Sequence, residues 1–144
     1  MPKILIGIDT GVNTGFAVAF DHGEGGVLQK VESLSITRAM QSVLEYEDEH
    51  DLKDIMLYIE DARKRTWFTG GREKAQGVGS VKRDAQIWED WCTEQGLNFK
   101  MIHPAANATK KKVADFTRMT GWTGRTNEHA RDAAMLVFKR YWKA

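Results

Sequence analysis

Only one cysteine, Cys92, stands among 144 residues. A lone thiol excludes an internal disulfide and a cysteine-based zinc site. No apolar run approaches the ~20 residues that a membrane helix needs, and no signal peptide is visible. An intracellular, cytoplasmic location is therefore the default expectation. An excess of one charge is also missing. The formal net charge is +1, which excludes a basic, tail-type nucleic-acid binder. Linkers, internal repeats and low-complexity segments are absent, so residues 1–144 are expected to form a single domain. A chain of this length can bury a proper core. Its 42% hydrophobic and 28% charged residues are ordinary for a globular protein.

The charge that is present is unevenly placed. Residues 63–83 carry Arg63, Lys64, Arg65, Arg72, Lys74, Lys82 and Arg83 against Glu73 alone. Residues 109–125 carry Lys110, Lys111, Lys112, Arg118 and Arg125 with the single acid Asp115. Residues 45–54 are the reverse, with six acids and only Lys53. One basic and one acidic face suit a polyanion bound on one side; solvated surface charge is the blander reading.

The pattern along the chain predicts strands at 3–10, 14–20 and 27–36, joined by glycine-rich turns. A helix capped by Thr37 follows, with Met40, Val43, Leu44 and Glu47 on one face. A fourth strand spans 55–61. Residues 63–77 show no clean period, and a connection of that length is usually functional. Val81, Ala85, Trp88, Trp91 and Cys92 mark a helix ended by Gly96. A fifth strand at 98–103 stops at Pro104, and a basic helix spans about 109–120. Thr126 or Asn127 caps a last helix striped by Ala130, Ala133, Ala134, Val137, Phe138 and Tyr141. The order β-β-β-α-β-α-β-α-α predicts an α/β fold. It has a five-stranded mixed sheet, an antiparallel meander then parallel strands, covered by helices. That is the ribonuclease H-like arrangement.

Three acids fall at ends of these elements. Asp9 closes the apolar run 4–8, where a lone acid must face a cavity, a partner or a metal, or else cap the following turn. Glu60 closes the run 55–59; its neighbour Asp61 points the other way, toward a capping role or a link to nucleic acid through Arg63. His129 and Asp132 are three apart on the last helix and share a face. Such a pair supplies two metal ligands, or one ligand and a proton-transfer group; alone it also reads as a surface pair. Convergent carboxylates hold divalent ions, and two ions about 4 Å apart cut phosphodiesters.

With Ile6-Gly7-Ile8-Asp9, Gly11, Thr14 and Gly15, then Tyr58-Ile59-Glu60, then His129-Ala130-Arg131-Asp132-Ala133-Ala134, the chain resembles the RuvC-type Holliday junction resolvases of the ribonuclease H-like superfamily. The resemblance spans nearly the whole chain, the middle third by element order alone. It implies a metal-dependent endodeoxyribonuclease in which Asp9, Glu60, His129 and Asp132 hold two Mg²⁺ ions, with Mn²⁺ able to substitute. It also implies a homodimer acting on branched DNA and four-way junctions. Thr10 departs from a proline frequent in relatives, and the short chain leans toward a phage or reduced member. Trp67 and Phe68, amid cations and beside Gly70 and Gly71, suit stacking on unpaired bases; folding back onto the core is the alternative. Lys110, Lys111 and Lys112 would meet the phosphate backbone. Trp88 and Trp91 read as core or dimer interface. Three other functions stay open. One is a less selective nuclease for flaps, forks or RNA–DNA hybrids. Another is an actin-type ATP-binding fold, which needs two such domains. The third is a non-catalytic DNA-binding scaffold.

Overall fold

The computed structural model describes residues 2–64, 72–107 and 111–143, apart from the side chains of 72–78, 81 and 105. Five strands form one sheet in the order β3-β2-β1-β4-β5. They are β1 (Lys3–Asp9), β2 (Thr14–Asp21), β3 (Val27–Leu34), β4 (Ile55–Glu60) and β5 (Phe99–Ile102). β1, β2 and β3 run antiparallel, whereas β4 runs parallel to β1 and β5 parallel to β4. Four α-helices lie among the described residues: α1 (Ile36–Glu49), α2 (Arg72–Gln95), α3 (Val113–Thr120) and α4 (Glu128–Val137).

The central strands are apolar on both sides because both sides are covered. On one face Ile4, Ile6, Ile8, Ile55, Leu57 and Ile59 pack under Ala39 and Val43 of α1 and Trp88 and Cys92 of α2. On the other, Leu5, Ala17, Ala19, Met56 and Tyr58 lie under Phe116 of α3 and the stripe Ala130, Ala133, Ala134 and Val137 of α4. Trp88 is fully buried and meets Trp91 edge-on at 5.6 Å between ring centroids. It belongs to the core. Burial also pushes the Cys92 thiol up to about 12, so it packs as an inert small hydrophobe. No helix among the described residues is long and apolar enough to cross a membrane.

Several boundaries differ from the sequence expectation. Ser35, not Thr37, caps α1, its Oγ accepting the amide of Arg38 at 3.3 Å; this lets Ile36 join the core. α2 begins at Arg72, well before Val81. Arg72-Glu73-Lys74-Ala75-Gln76 are good helix formers, and Gly77 and Gly79 hide the period. α3 starts at Val113, later than 109. α4 ends at Val137, because Phe138 is extended and Lys139 turns left-handed. The tail then folds back, pairing Lys139 N with Gly26 O and Gly26 N with Arg140 O, each at 2.8 Å. Tyr141, assigned to the helix stripe, is exposed instead.

Candidate active site

β1 and β4 are neighbours in parallel register, with Ile8 opposite Ile59. The next residues, Asp9 and Glu60, therefore end adjacent strands side by side. Strand alternation sets their direction. Leu5 and Gly7 face α4, and so does Asp9; Met56 and Tyr58 face α4, and so does Glu60. Both carboxylates are buried, as is Asp132 on α4.

Two glycines bring α4 to them. A Cβ on Gly7 would collide with the Ala133 carbonyl, and one on Gly15 with the His129 carbonyl. Their absence lets the helix backbone rest directly on β1 and β2. Asn127 caps the helix, its Oδ1 accepting the Ala130 amide at 2.9 Å. Arg131 ties the first turn to the Lys111 carbonyl at 2.8 Å and to Thr126 Oγ1 at 2.9 Å. Asn107, just after β5, donates to the Asp132 carbonyl at 3.1 Å. The outcome is a contact across 120 positions, His129 Nδ1 lying 3.2 Å from Asp9 Oδ2. The His129 side chain stays half exposed, whereas Asp9 is enclosed.

Among the described residues no group of three or more His, Cys, Asp or Glu is drawn together tightly enough to hold a metal ion. The donor chemistry nevertheless fits a hard divalent cation. Three buried carboxylates offer oxygen ligands on one face of the sheet, which is what Mg²⁺ and Mn²⁺ prefer.

Asp61 faces away from Glu60 into its own ion-pair cluster. Arg63 donates to both Asp61 oxygens, at 2.8 and 3.0 Å, and to Glu89 on α2 at 3.0 Å. It also reaches Gln86 at 2.6 Å. Burial alone would raise the Asp61 pKa, but the Arg63 guanidinium outweighs it and holds the carboxyl below its usual range. The same guanidinium lowers Glu89, and the two acids raise the pKa of Arg63. Arg63, expected to contact DNA, is thus engaged within the protein, fastening α2 to the end of β4. Sequence reasoning gave Asp61 a capping role or a link to nucleic acid through Arg63, and missed Glu89, 26 positions away. It also missed Asn107 and Arg131, whose types and spacing carry no signal of their own.

Of the other expected DNA-binding cations, Lys64, Lys82, Arg83 and Lys112 are exposed and Lys111 is half-buried. Arg72 and Lys74 lie on α2, but their side chains fall outside the described ones. Arg65, Trp67, Phe68 and Lys110 lie outside the described residues altogether.

No family model and no curated protein matches the sequence. Among solved structures, the chain is similar to the Thermus thermophilus RuvC structure, with a TM-score of 0.50 and 17% identity. The match covers 92% of this chain and 90% of that one. The fold is ribonuclease H-like. In this architecture the adjacent ends of β1 and β4, with the first turn of the last helix above them, are where Asp9, Glu60, His129 and Asp132 stand.

Proposed function

We propose that the chain is a metal-dependent, structure-specific endodeoxyribonuclease that resolves four-way DNA junctions. It would act as a single intracellular domain paired in a two-fold homodimer, so that two opposed strands are cut together. One observation carries the reading. Residues far apart in sequence meet at one end of the sheet, where His129 touches Asp9 beside Glu60.

Asp9, Glu60 and Asp132 would hold Mg²⁺ or Mn²⁺, with His129 at the margin. Such ions, when bound, lower the pKa of an attacking water and stabilise the leaving 3′-oxygen. The chain's own groups bind and orient. When Nδ1 of His129 carries the proton it donates to Asp9, which fixes the ring and leaves Nε2 toward solvent as an acceptor. Lys64, Lys82, Arg83 and Lys112, all exposed, would meet phosphates.

Cleavage of a four-way junction, a flap, a fork, linear duplex and an RNA–DNA hybrid should be compared in Mg²⁺. A junction cut far faster than the others supports resolution. Equal cutting of flaps, forks or hybrids assigns the less selective nuclease instead. His129→Asp should keep activity and His129→Ala should lose most of it, since a carboxylate replaces the ligand and a methyl does not. Trp67→Ala with Phe68→Ala should slow junction cutting, and a junction already unpaired at the crossover should restore it. The basis is that one stacked aromatic contributes about 1–3 kcal/mol.

A further inference from the structure

A second site, lined by cations, lies on the same sheet face as Glu60 but at the other end of α4. A cavity of about 400 Å³ opens between β4, β5 and the C-terminal tail. Lys100, Lys139, Arg140 and Lys143 line it, and among the described residues no carboxylate does. Lys100 pairs with Tyr58 across β4 and β5, and Tyr58 precedes Glu60 by two residues on one face. That places the cavity floor about 7 Å along the strand from Glu60.

Three observations mark this cavity as built. First, the tail is held in a costly conformation. Lys139 has φ 58°, left-handed for a residue that is not glycine, and two backbone bonds to Gly26 maintain it. This turn brings Lys139, Arg140 and Lys143 to one wall. Second, Tyr58 is 1% exposed, yet its hydroxyl makes no well-formed hydrogen bond among the described residues. Third, the nearby acid Asp21 keeps its charge but stands outside the lining, turned to backbone amides. Its carboxylate already accepts the amides of Gly23, Gly25 and Trp142. The Arg140 guanidinium lies over the Tyr58 ring, 4.8 Å from its centre.

We infer that this cavity binds a phosphoryl group, carried by a polynucleotide backbone or by a free nucleotide. Four lining cations beside the aromatic side chains of Phe138 and Tyr141 suit a phosphate attached to a flat base. The site is separate from the carboxylates, and its test needs no cleavage.

The test is amide-resolved NMR titration of the wild-type chain with inorganic phosphate, and then with a short single-stranded oligonucleotide. Both are repeated on Lys100→Gln/Lys143→Gln, and on Lys143→Gln alone should the double variant fail to fold. Phosphate should shift the amides of residue 100 and residues 139–143, and the substitutions should remove that response. If the oligonucleotide shifts the same amides, the source is a polynucleotide. The slope of log affinity against log salt should then become shallower by about 0.7 for each phosphate that the variant no longer neutralises. If phosphate and a mononucleotide shift them but the oligonucleotide does not, the site is for a free nucleotide. If none of the probes moves these amides, or if the variants bind like the wild type, the inference is wrong.

Discussion

The two faces of the sheet are built from different materials. The face under α1 and α2 is filled by large side chains: Ile4, Ile6, Ile8, Phe16, Leu57, Ile59 and Trp88, all fully buried. The face under α4 also holds Leu5, Tyr58 and Phe116, but where the helix crosses the strands it is small: Ala17, Ala19, Ala130, Ala133 and Ala134, with Gly7 and Gly15 beneath the helix backbone. Bulk on one side maximises apolar burial. Smallness on the other side sacrifices burial for proximity, letting a helix rest on the strands and bring His129 and Asp132 toward Asp9 and Glu60. One face stabilises the fold, and the other positions the carboxylates.

Substitutions that trade the materials break this contrast. Trp88→Ala should cost about 3–5 kcal/mol in chemical denaturation, because it empties the centre of the bulky face. Its residual folded fraction should keep the His129 contact to Asp9. Gly7→Ala and Gly15→Ala should each cost about 1–3 kcal/mol by overpacking. They should also displace α4, so that the His129 resonances move as the melting temperature falls. Gly79→Ala, in the middle of α2 with open space around it, should do the opposite. It should stabilise by about 0.5–1 kcal/mol and leave the site unchanged.

The tail gives a pH-dependent version of the same comparison. The Trp142 amide foremost, with Gly23 and Gly25, holds the Asp21 carboxyl below its ordinary range, against the upward pull of burial. A folded pKa below the unfolded value of about 3.9 means that the carboxylate stabilises the native state above roughly pH 4. That contribution is lost as pH falls through the lowered pKa. Asp21→Asn should therefore be less stable than wild type at pH 7, and the gap should narrow on acidification below about pH 4. A gap independent of pH would show that Asp21 acts by shape alone.

Much of this architecture was legible in the sequence, because the strands announce themselves. Runs such as Ile4-Leu5-Ile6 and Met56-Leu57-Tyr58-Ile59 have no competing periodicity, and an acid closes each. The meander followed by alternating elements then left few arrangements. What escaped was local or long-range. Ser35 and Thr37 are equally good caps on paper, and only the burial of Ile36 decides between them. α2 was hidden by its own glycines. The end of α4 depends on Gly26, over a hundred residues away, pairing with the tail. The Asp61–Arg63–Glu89 clamp arises because α2 packs beside β4, and no spacing rule connects residues 63 and 89.

We propose that Asp9, Glu60 and Asp132 form one metal-holding unit on the close-packed face. This is tested most directly by measuring junction binding, junction cutting and Mn²⁺ binding on the same preparations of Asp9→Asn, Glu60→Gln and Asp132→Asn. Mn²⁺ is read by its paramagnetic broadening of nearby amides, which needs no turnover. Each variant should fold, bind the junction about as tightly as wild type, lose broadening at the other two positions, and fail to cut. A variant that cuts at the wild-type rate, or a set that loses junction binding in step with cutting while staying folded, would contradict the claim.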